Sequence, residues 1–295
     1  MAGKGRFKRD DLFSFARDSY LERTSRPIYA AIFLLPFIIF YETGTIFINT
    51  DLLGQSQIRV VAFVWLQNLL GYLGFGSRLA WMAPPLAVVV ILTAMQITSK
   101  KRWGFNFGDV GPMILECVLL AVPLIVLSLF LNGAARLPGN IGQFAGGGLQ
   151  VQNKAAAELF SAAGGRGVPI TGQGLLADII TGVGAGIYEE LVFRLILICV
   201  LMLLFQDIFK ISRRDSIVLS VVISAALFSA HHHIVFLEGQ FNGNRPFEWT
   251  EFIFRTIAGV YFAVLFAVRG FGITAGTHIF YDTIAVFVNA FFFQQ

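Results

Sequence analysis

The chain has 295 residues, of which 56% are apolar and only 14% carry a charge, whereas ordinary soluble domains have about 25% charged residues. A soluble domain of this length could not bury so much apolar surface in one core. The net charge of +4 comes from basic residues in short segments between apolar runs. Such residues set membrane orientation, so the charge does not indicate a nucleic-acid-binding protein.

The apolar residues fall in runs near the length of about 20 residues that crosses a bilayer as a helix. Clear runs cover 28–48, 79–98, 113–132, 175–206, 216–236, 252–268 and 271–292, and a weaker run covers 60–73. The sequence therefore predicts an all-α fold, a polytopic transmembrane bundle of about seven to eight membrane helices. We expect an integral, multi-pass protein in contact with membrane lipids, placed in the inner membrane if the source is bacterial.

Charge and glycine content divide the chain. Residues 1–27 form a basic segment, with seven Lys and Arg in the first 26 positions, and we predict that it is cytoplasmic. Residues 28–132 form the N-terminal membrane helices. Residues 133–174 contain 11 Gly in 42 residues and a short helical stretch near 155–163. We interpret this part as a plain connection, with a lid or gate as the alternative. The last part is the membrane core, 175–292.

The positions of the basic clusters distinguish two possible membrane topologies. If 60–73 lies in the interface or re-enters, the cluster Lys100–Arg102 lies on the same side as the N-terminus, and Lys210, Arg213 and Arg214 follow it there. That interpretation gives seven crossings and is the one that we prefer. If 60–73 crosses, there are eight crossings and the first cluster faces outside.

Run 175–206 is longer than the hydrocarbon core, so it must tilt, protrude or break. Gly182, Gly184 and Gly186 favour a break or a close helix contact.

Run 175–206 also carries charges in its interior. Charges at this depth cost about 2.5–3.5 kcal/mol each, so they are usually paired and functional. Glu190 and Arg194 are four residues apart on one helix face and can pair directly. Glu189 points about 100° away, which leaves it able to act as a base. A purely structural ion pair explains Glu190 and Arg194 but not Glu189.

Two later runs carry all four histidines of the chain. Phe228 and His232 share a helix face. His231 and His233 point elsewhere, and we interpret them as polar groups at a helix end. In the last run His278 and Asp282 are four residues apart and can form a hydrogen bond.

Together these motifs resemble the CPBP family, the CAAX proteases and bacteriocin-processing enzymes of membranes. The pattern reads Glu-Glu-x-x-x-Arg at 189–194, Phe-x-x-x-His at 228–232 and His-x-x-x-Asp at 278–282. The resemblance covers roughly 175–292, which we therefore expect to be a catalytic membrane core. Asp at 282 is one of the family's accepted choices, although the prenyl-protein proteases have Asn there, so the substrate class follows less directly than the fold.

The resemblance implies a glutamate-dependent intramembrane endopeptidase that acts on membrane-tethered or lipidated peptides, prenylated CAAX tails among them. Glu189 would activate water, His232 would bind or polarise that water, and His278 and Asp282 would stabilise the oxyanion. Glu190, Arg194 and Phe228 would position these groups. We expect no cofactor, with a catalytic zinc on Glu189, His232 and His278 as the alternative.

Two other functions stay open on the sequence alone. Buried charges also line proton or ion paths in transporters, but we find no paired symmetric halves of the kind that many transporters have. A catalytically inactive scaffold is the third hypothesis. One difficulty concerns depth: if 252–268 crosses completely, His278 falls towards the opposite side of the membrane from His232.

Overall fold

The computed structural model describes residues 18–51, 60–74, 82–134, 172–232, 235–237, 240–242 and 249–292. In chain order, the helices are α1 (Tyr20–Thr24), α2 (Pro27–Asp51), α3 (Val61–Tyr72), α4 (Ala83–Ser99), α5 (Val110–Ala134), α6 (Gly172–Glu190, continuing to Ile208), α7 (Arg213–His231), α8 (Trp249–Arg269) and α9 (Phe271–Phe292). A short antiparallel ribbon, β1 (Val235–Leu237) and β2 (Gln240–Asn242), lies between α7 and α8. The first 17 residues and the predicted helical stretch near 155–163 lie outside these ranges.

Within the described ranges, six helices are long and apolar enough to cross a membrane. They are α2, α5, α6, α7, α8 and α9, while α3 and α4 are shorter apolar helices. Large apolar side chains cover much of the outside of the bundle, which suits helices that face lipid rather than water. The prediction of a polytopic helical bundle is confirmed, and the ribbon is its small departure from an all-α fold.

Helix α3 is too short to cross the membrane by itself. Its 12 residues span about 18 Å, against a hydrocarbon core of about 30 Å. Arg102, after α4, forms a 2.9 Å ion pair with Asp18, which precedes α1. The basic segment near the N-terminus and the cluster Lys100–Arg102 therefore lie at the same end of the bundle, as the seven-crossing interpretation requires.

The long apolar run of α6 widens instead of breaking. After Glu190 the helix continues as a π-helix over Leu191–Leu197, returns to α-helix over Ile198–Leu203 and ends in a second π segment, Leu204–Ile208. A π turn adds a residue to the helical circumference and is frequent at functional sites. Because Arg194 lies in the first π segment, its position relative to Glu190 is set by this widened turn.

Helix α9 is the central helix of the bundle. In its membrane window, 67% of the residues are buried, against 22–39% in the other five spans. It packs against α2, α5, α6 and α8. A side chain on α9 can therefore contact groups from several helices, and this centrality brings the last motif of the chain to the earlier ones.

A tight turn between α8 and α9 determines how deep His278 lies within the helical bundle. Helix α8 ends at Arg269, whose guanidinium binds the Glu116 carboxylate of α5 at 2.5 and 2.9 Å. Gly270 follows with φ +76°, a left-handed conformation that suits glycine. Phe262 and His278 both lie eight residues from this turn, about 12 Å along their helices, and their rings stack at 4.6 Å. The turn therefore places His278 inside the bundle, level with α8, and not at the opposite surface.

Helices α6 and α9 approach each other closely at Gly186. A Cβ atom added there would lie 2.6 Å from Cγ1 and 2.7 Å from the backbone nitrogen of Ile279. The absence of a side chain lets the two backbones meet. Gly186 lies one turn before Glu190, and Ile279 adjoins His278, so this contact fixes the distance between the first and last motifs.

We predict that Gly186→Ala destabilises the protein, although alanine favours helix by about 1 kcal/mol over glycine. Overpacking a tight contact costs about 1–3 kcal/mol, and the backbone of Ile279 cannot move aside cheaply. Gly71→Ala is the control, because a Cβ there meets nothing within 4 Å. Thermal unfolding in detergent should give a lower midpoint for Gly186→Ala and an unchanged or higher one for Gly71→Ala. An unchanged midpoint at position 186 would contradict the close contact.

Candidate active site

The site is built around a buried ion pair on α6. Arg194 Nε lies 3.2 Å from Glu190 Oε2, and both side chains are fully buried. The Arg194 guanidinium also lies over the ring of Phe228 at 4.1 Å, and its NH2 group donates to the carbonyl of Gly259 at 3.5 Å. One charged group of α6 thus contacts α7 and α8, and the predicted pairing of Glu190 with Arg194 is the arrangement found.

Glu190 also holds His278, a contact that the sequence did not predict. The His278 Nδ1–H group donates to Glu190 Oε1 at 2.8 Å. The expected partner, Asp282, lies 3.5 Å from His278 Nε2, which is a longer and weaker contact. Phe262 stacks on the other side of the imidazole. His278 therefore has its Nδ1 atom committed to Glu190 and its Nε2 atom turned towards two carboxylates, those of Asp282 and Glu189.

Glu189 is the point on which three imidazoles converge. Its Oε1 lies 3.5 Å from His231 Nε2, and its Oε2 lies 3.9 Å from His232 Nε2 and 4.0 Å from His278 Nε2. The Glu189 side chain is buried, and the His232 side chain is 23% exposed, so one side of this group can receive a molecule from outside. The structure brings together the residues that were predicted to act directly on water and substrate.

From the sequence, His231 was expected to be only a polar group at a helix end. In the structure its imidazole lies beside the Glu189 carboxylate. It does lie in the last turn of α7, but it is buried. Its Nδ1–H group donates to the Phe228 carbonyl at 2.5 Å. This bond leaves the Nε2 lone pair of a neutral His231 directed at Glu189. The third of the consecutive histidines, His233, lies outside the described residues.

Aromatic rings enclose the imidazoles. The ring of Phe228 lies 5.3 Å from that of His232 and 6.2 Å from that of His278. Trp65, from the short helix α3, lies 5.7 Å from the ring of His231. The weak apolar run 60–73 thus contributes to the site, although it carries no motif.

A second pair of charged residues, on α8, was not predicted from the sequence. Glu251 and Arg255 are buried and stand four residues apart, the same spacing as Glu190 and Arg194. The presence of two charges at the start of an apolar run was the signal that could have identified them. Among charged groups, Glu251 acts most strongly on Arg255, and the carboxylates of Glu189 and Asp282 act on it more weakly, so this pair borders the site.

Three side chains of the site could also hold a metal ion, although one of them differs from the predicted ligands. One ligand atom each from Glu189, His231 and His232 lie within 4.8 Å of one another. The predicted set had His278 in place of His231. A carboxylate and two imidazoles form a common set of protein ligands for catalytic zinc. The bond from His231 Nδ1 to a carbonyl is the outer contact that metal-binding histidines usually make.

The comparisons with known proteins bear on the part of the chain that carries these residues. Residues 171–284 match the family described as "Rce1-like: Type II CAAX prenyl endopeptidase Rce1-like". The comparison with curated proteins and the comparison with solved structures give no match. The matched segment contains all three motifs, from Glu189 to Asp282, and it confirms the resemblance to the CAAX proteases. Residues 171–284 of this chain are therefore similar to the type II CAAX prenyl endopeptidases of the Rce1-like family.

Proposed function

We propose that this protein is an intramembrane endopeptidase in which Glu189 activates water for attack on a peptide bond. The observation that carries the proposal is the convergence of three histidine Nε2 atoms on the Glu189 carboxylate at 3.5–4.0 Å. The Rce1-like match supports a protease of membrane-associated substrates. Prenylated CAAX-type peptides are the substrate class that we infer from it.

The spacing suits a water molecule held by Glu189 and a histidine. A water oxygen about 2.8 Å from both Glu189 Oε2 and His232 Nε2, which are 3.9 Å apart, subtends an angle of about 90°, which a water molecule can accept. It would donate one hydrogen to Glu189 and the other to the Nε2 lone pair of a neutral His232. Its own lone pair would then be free to attack a carbonyl carbon. His232, at the more exposed edge, would help to bind this water.

The reaction follows from these positions. Glu189 removes a proton from the water as its oxygen bonds to the carbonyl carbon, and the carbonyl oxygen becomes negatively charged. When the C–N bond breaks, the proton passes from Glu189 to the leaving amine. The products are a carboxylic acid and an amine, so one water molecule is consumed for each bond.

His278 is positioned to stabilise the oxyanion. Glu190 accepts its Nδ1–H group, and the nearby carboxylates of Asp282 and Glu189 favour a second proton on Nε2. An imidazolium Nε2–H group inside a site with little water is a strong hydrogen-bond donor to a developing oxyanion. Glu190 and Arg194 act as positioning residues in this proposal, because they hold His278 and the helix that carries Glu189.

We predict that Glu189→Gln lowers kcat for a farnesylated CAAX-type reporter peptide by about 10²- to 10⁴-fold, the range that a general base contributes. Glutamine keeps the size of the side chain and cannot accept the proton. The measurement is single-turnover cleavage by purified protein in liposomes, with thermal unfolding as the check on folding. Asp207→Asn, an exposed carboxylate on the same helix, is the control and should cleave like the wild type. Retention of full activity by Glu189→Gln would refute the proposed base.

A zinc-dependent version is the second candidate, since Glu189, His231 and His232 offer three close ligand atoms. These residues would hold the ion, and zinc would supply a bound water of lowered pKa. We favour the metal-free version because His278, flanked by three carboxylates, is better placed as a doubly protonated donor than as a ligand, and the water can be held without an ion.

Chelation separates the two versions. We expect dialysis against 1,10-phenanthroline to leave cleavage of the same peptide unchanged, because Glu189 acts on water directly. The measurement is the cleavage rate before and after dialysis, with elemental analysis of the purified protein. Loss of cleavage that zinc alone restores, at one zinc per chain, would contradict the metal-free version and assign the ion to Glu189, His231 and His232.

A further inference from the structure

A cavity of about 500 Å³ lies away from the peptidase site, at the end of the bundle that carries α1 and the loop after α4. Glu22 and Ser25 line it from the segment around α1, Lys101 lines it from the loop after α4, and residues 266–268 and Gly270 line it from the end of α8. Its volume is within the range of about 300–1,000 Å³ that small-molecule sites have. The proposed reaction uses none of these residues.

Lys101 gives the cavity a cation that no acidic side chain holds. Its backbone is fixed, because the amide of the buried Gln96 donates to the Lys101 carbonyl at 2.9 Å. Its ammonium forms no hydrogen bond and no ion pair within 4 Å with any residue that the structure describes. The next residue, Arg102, is paired with Asp18 at 2.9 Å. The Lys101 ammonium is therefore available to a negatively charged group of a ligand.

The other polar features of the cavity favour a cation. Glu22 is a carboxylate at neutral pH, because the Arg26 guanidinium that donates to it at 2.5 and 3.2 Å holds its pKa below the usual range. A carboxylate has room for further hydrogen bonds beside these two.

The end of α8 adds to this negative side. The Phe266 carbonyl accepts from the Gly270 nitrogen at 2.9 Å. The carbonyls of Ala267 and Val268 follow it, at positions that have no N–H donor within the helix. The last turn of a helix also carries the negative end of the helix dipole and favours a positive group. The cavity therefore offers one place for an anion and one for a cation.

An apolar surface continues from the cavity along α8. Ile257, Val264 and Val268 lie at spacings of seven and four on one helix face, and each is about half exposed. Exposed apolar side chains on a membrane helix face lipid, and Val268 also lines the cavity. Trp103, two residues after Lys101, is 55% exposed, and tryptophan is typical of the membrane–water interface. The polar cavity thus opens at the level of lipid headgroups.

We propose that this cavity binds the headgroup of phosphatidylethanolamine, a zwitterionic phospholipid. Lys101 binds the phosphate, and Glu22 and the carbonyls at the end of α8 accept hydrogen bonds from the ammonium. One acyl chain lies along Val268 and Val264. Phosphatidylcholine has no N–H group for these acceptors, and phosphatidylglycerol has no cation. The inference does not depend on the proposed peptidase function, because it concerns none of the residues of that site.

A bound headgroup would hold α1 against the turn between α8 and α9. Ser25 and Gly270 both line the cavity, and a Cβ at Gly270 would lie 3.3 Å from the Ser25 carbonyl. The neighbouring Arg269 donates to the Leu21 carbonyl at 2.9 Å. A ligand that binds only the folded arrangement of these segments stabilises it. We therefore expect the bound lipid to raise the thermal stability of the protein.

Competition among lipids tests the proposal. The purified protein is mixed in detergent with equal amounts of phosphatidylethanolamine, phosphatidylcholine and phosphatidylglycerol that have the same acyl chains, and native mass spectrometry counts the lipid that each molecule retains. The wild type should retain phosphatidylethanolamine most strongly. Lys101→Gln should lower that retention about fivefold, as expected for one basic residue beside a lipid phosphate. Ala267→Trp, which fills the cavity without a change of charge, should also abolish the preference.

The control is Lys210→Gln, which removes the same charge from an exposed lysine between α6 and α7. It should keep the wild-type preference. Thermal unfolding provides a second measurement: added phosphatidylethanolamine should raise the midpoint of the wild type and of Lys210→Gln more than it raises that of Lys101→Gln. Midpoints without added lipid show that each variant is folded.

Three results would overturn the proposal. Equal retention of the three lipids by the wild type, or stronger retention of phosphatidylglycerol, would exclude a site for a zwitterionic headgroup. A preference for phosphatidylethanolamine that persists in folded Lys101→Gln or Ala267→Trp would mean that the lipid binds outside this cavity. A preference lost equally in Lys210→Gln would mean that the total charge, and not Lys101, selects the lipid.

Discussion

The arrangement of the bundle depends on keeping Glu190 and Arg194 charged away from water. Both are fully buried, with Nε and Oε2 at 3.2 Å, and a buried charge without compensation costs several kcal/mol. Compensation comes from other helices: the ring of Phe228 on α7, the carbonyl of Gly259 on α8 and the imidazole of His278 on α9. These contacts join α6 to the three other helices in the arrangement seen. The same arrangement brings the histidines to the neighbouring carboxylate, so the interaction that specifies the fold also assembles the site.

The two adjacent carboxylates of α6 have different roles. Glu190 has an arginine and a histidine as close partners, whereas Glu189 meets three imidazoles at distances of 3.5–4.0 Å, longer than good hydrogen bonds. Glu190 therefore holds the helices together. Glu189 is left to interact with water or with a substrate, which is what a preorganised site in a water-poor interior requires.

The sequence predicted the elements of the site that depend on local helical spacing. The pairing of Glu190 with Arg194 follows from a separation of four residues, and the membrane helices follow from the length of the apolar runs. Contacts between helices could not be derived in this way. The role of His231 depends on the end of α7 and on Trp65 from a helix with no motif. The burial of Arg255 depends on how α8 packs, since hydropathy alone is equally consistent with a charge at the membrane surface. The level of His278 depends on a single turn at Gly270.

An experimental structure of Glu189→Gln with an uncleaved farnesylated CAAX-type peptide bound in a lipid environment would test the peptidase site most directly. We expect the scissile carbonyl carbon to lie about 3–4 Å from a water held by residue 189, the separation of a near-attack geometry. We also expect the carbonyl oxygen to point at His278 Nε2. A peptide bound elsewhere, or a side chain at 189 that faces lipid with the imidazoles dispersed, would contradict the claim that these helices assemble a peptidase site.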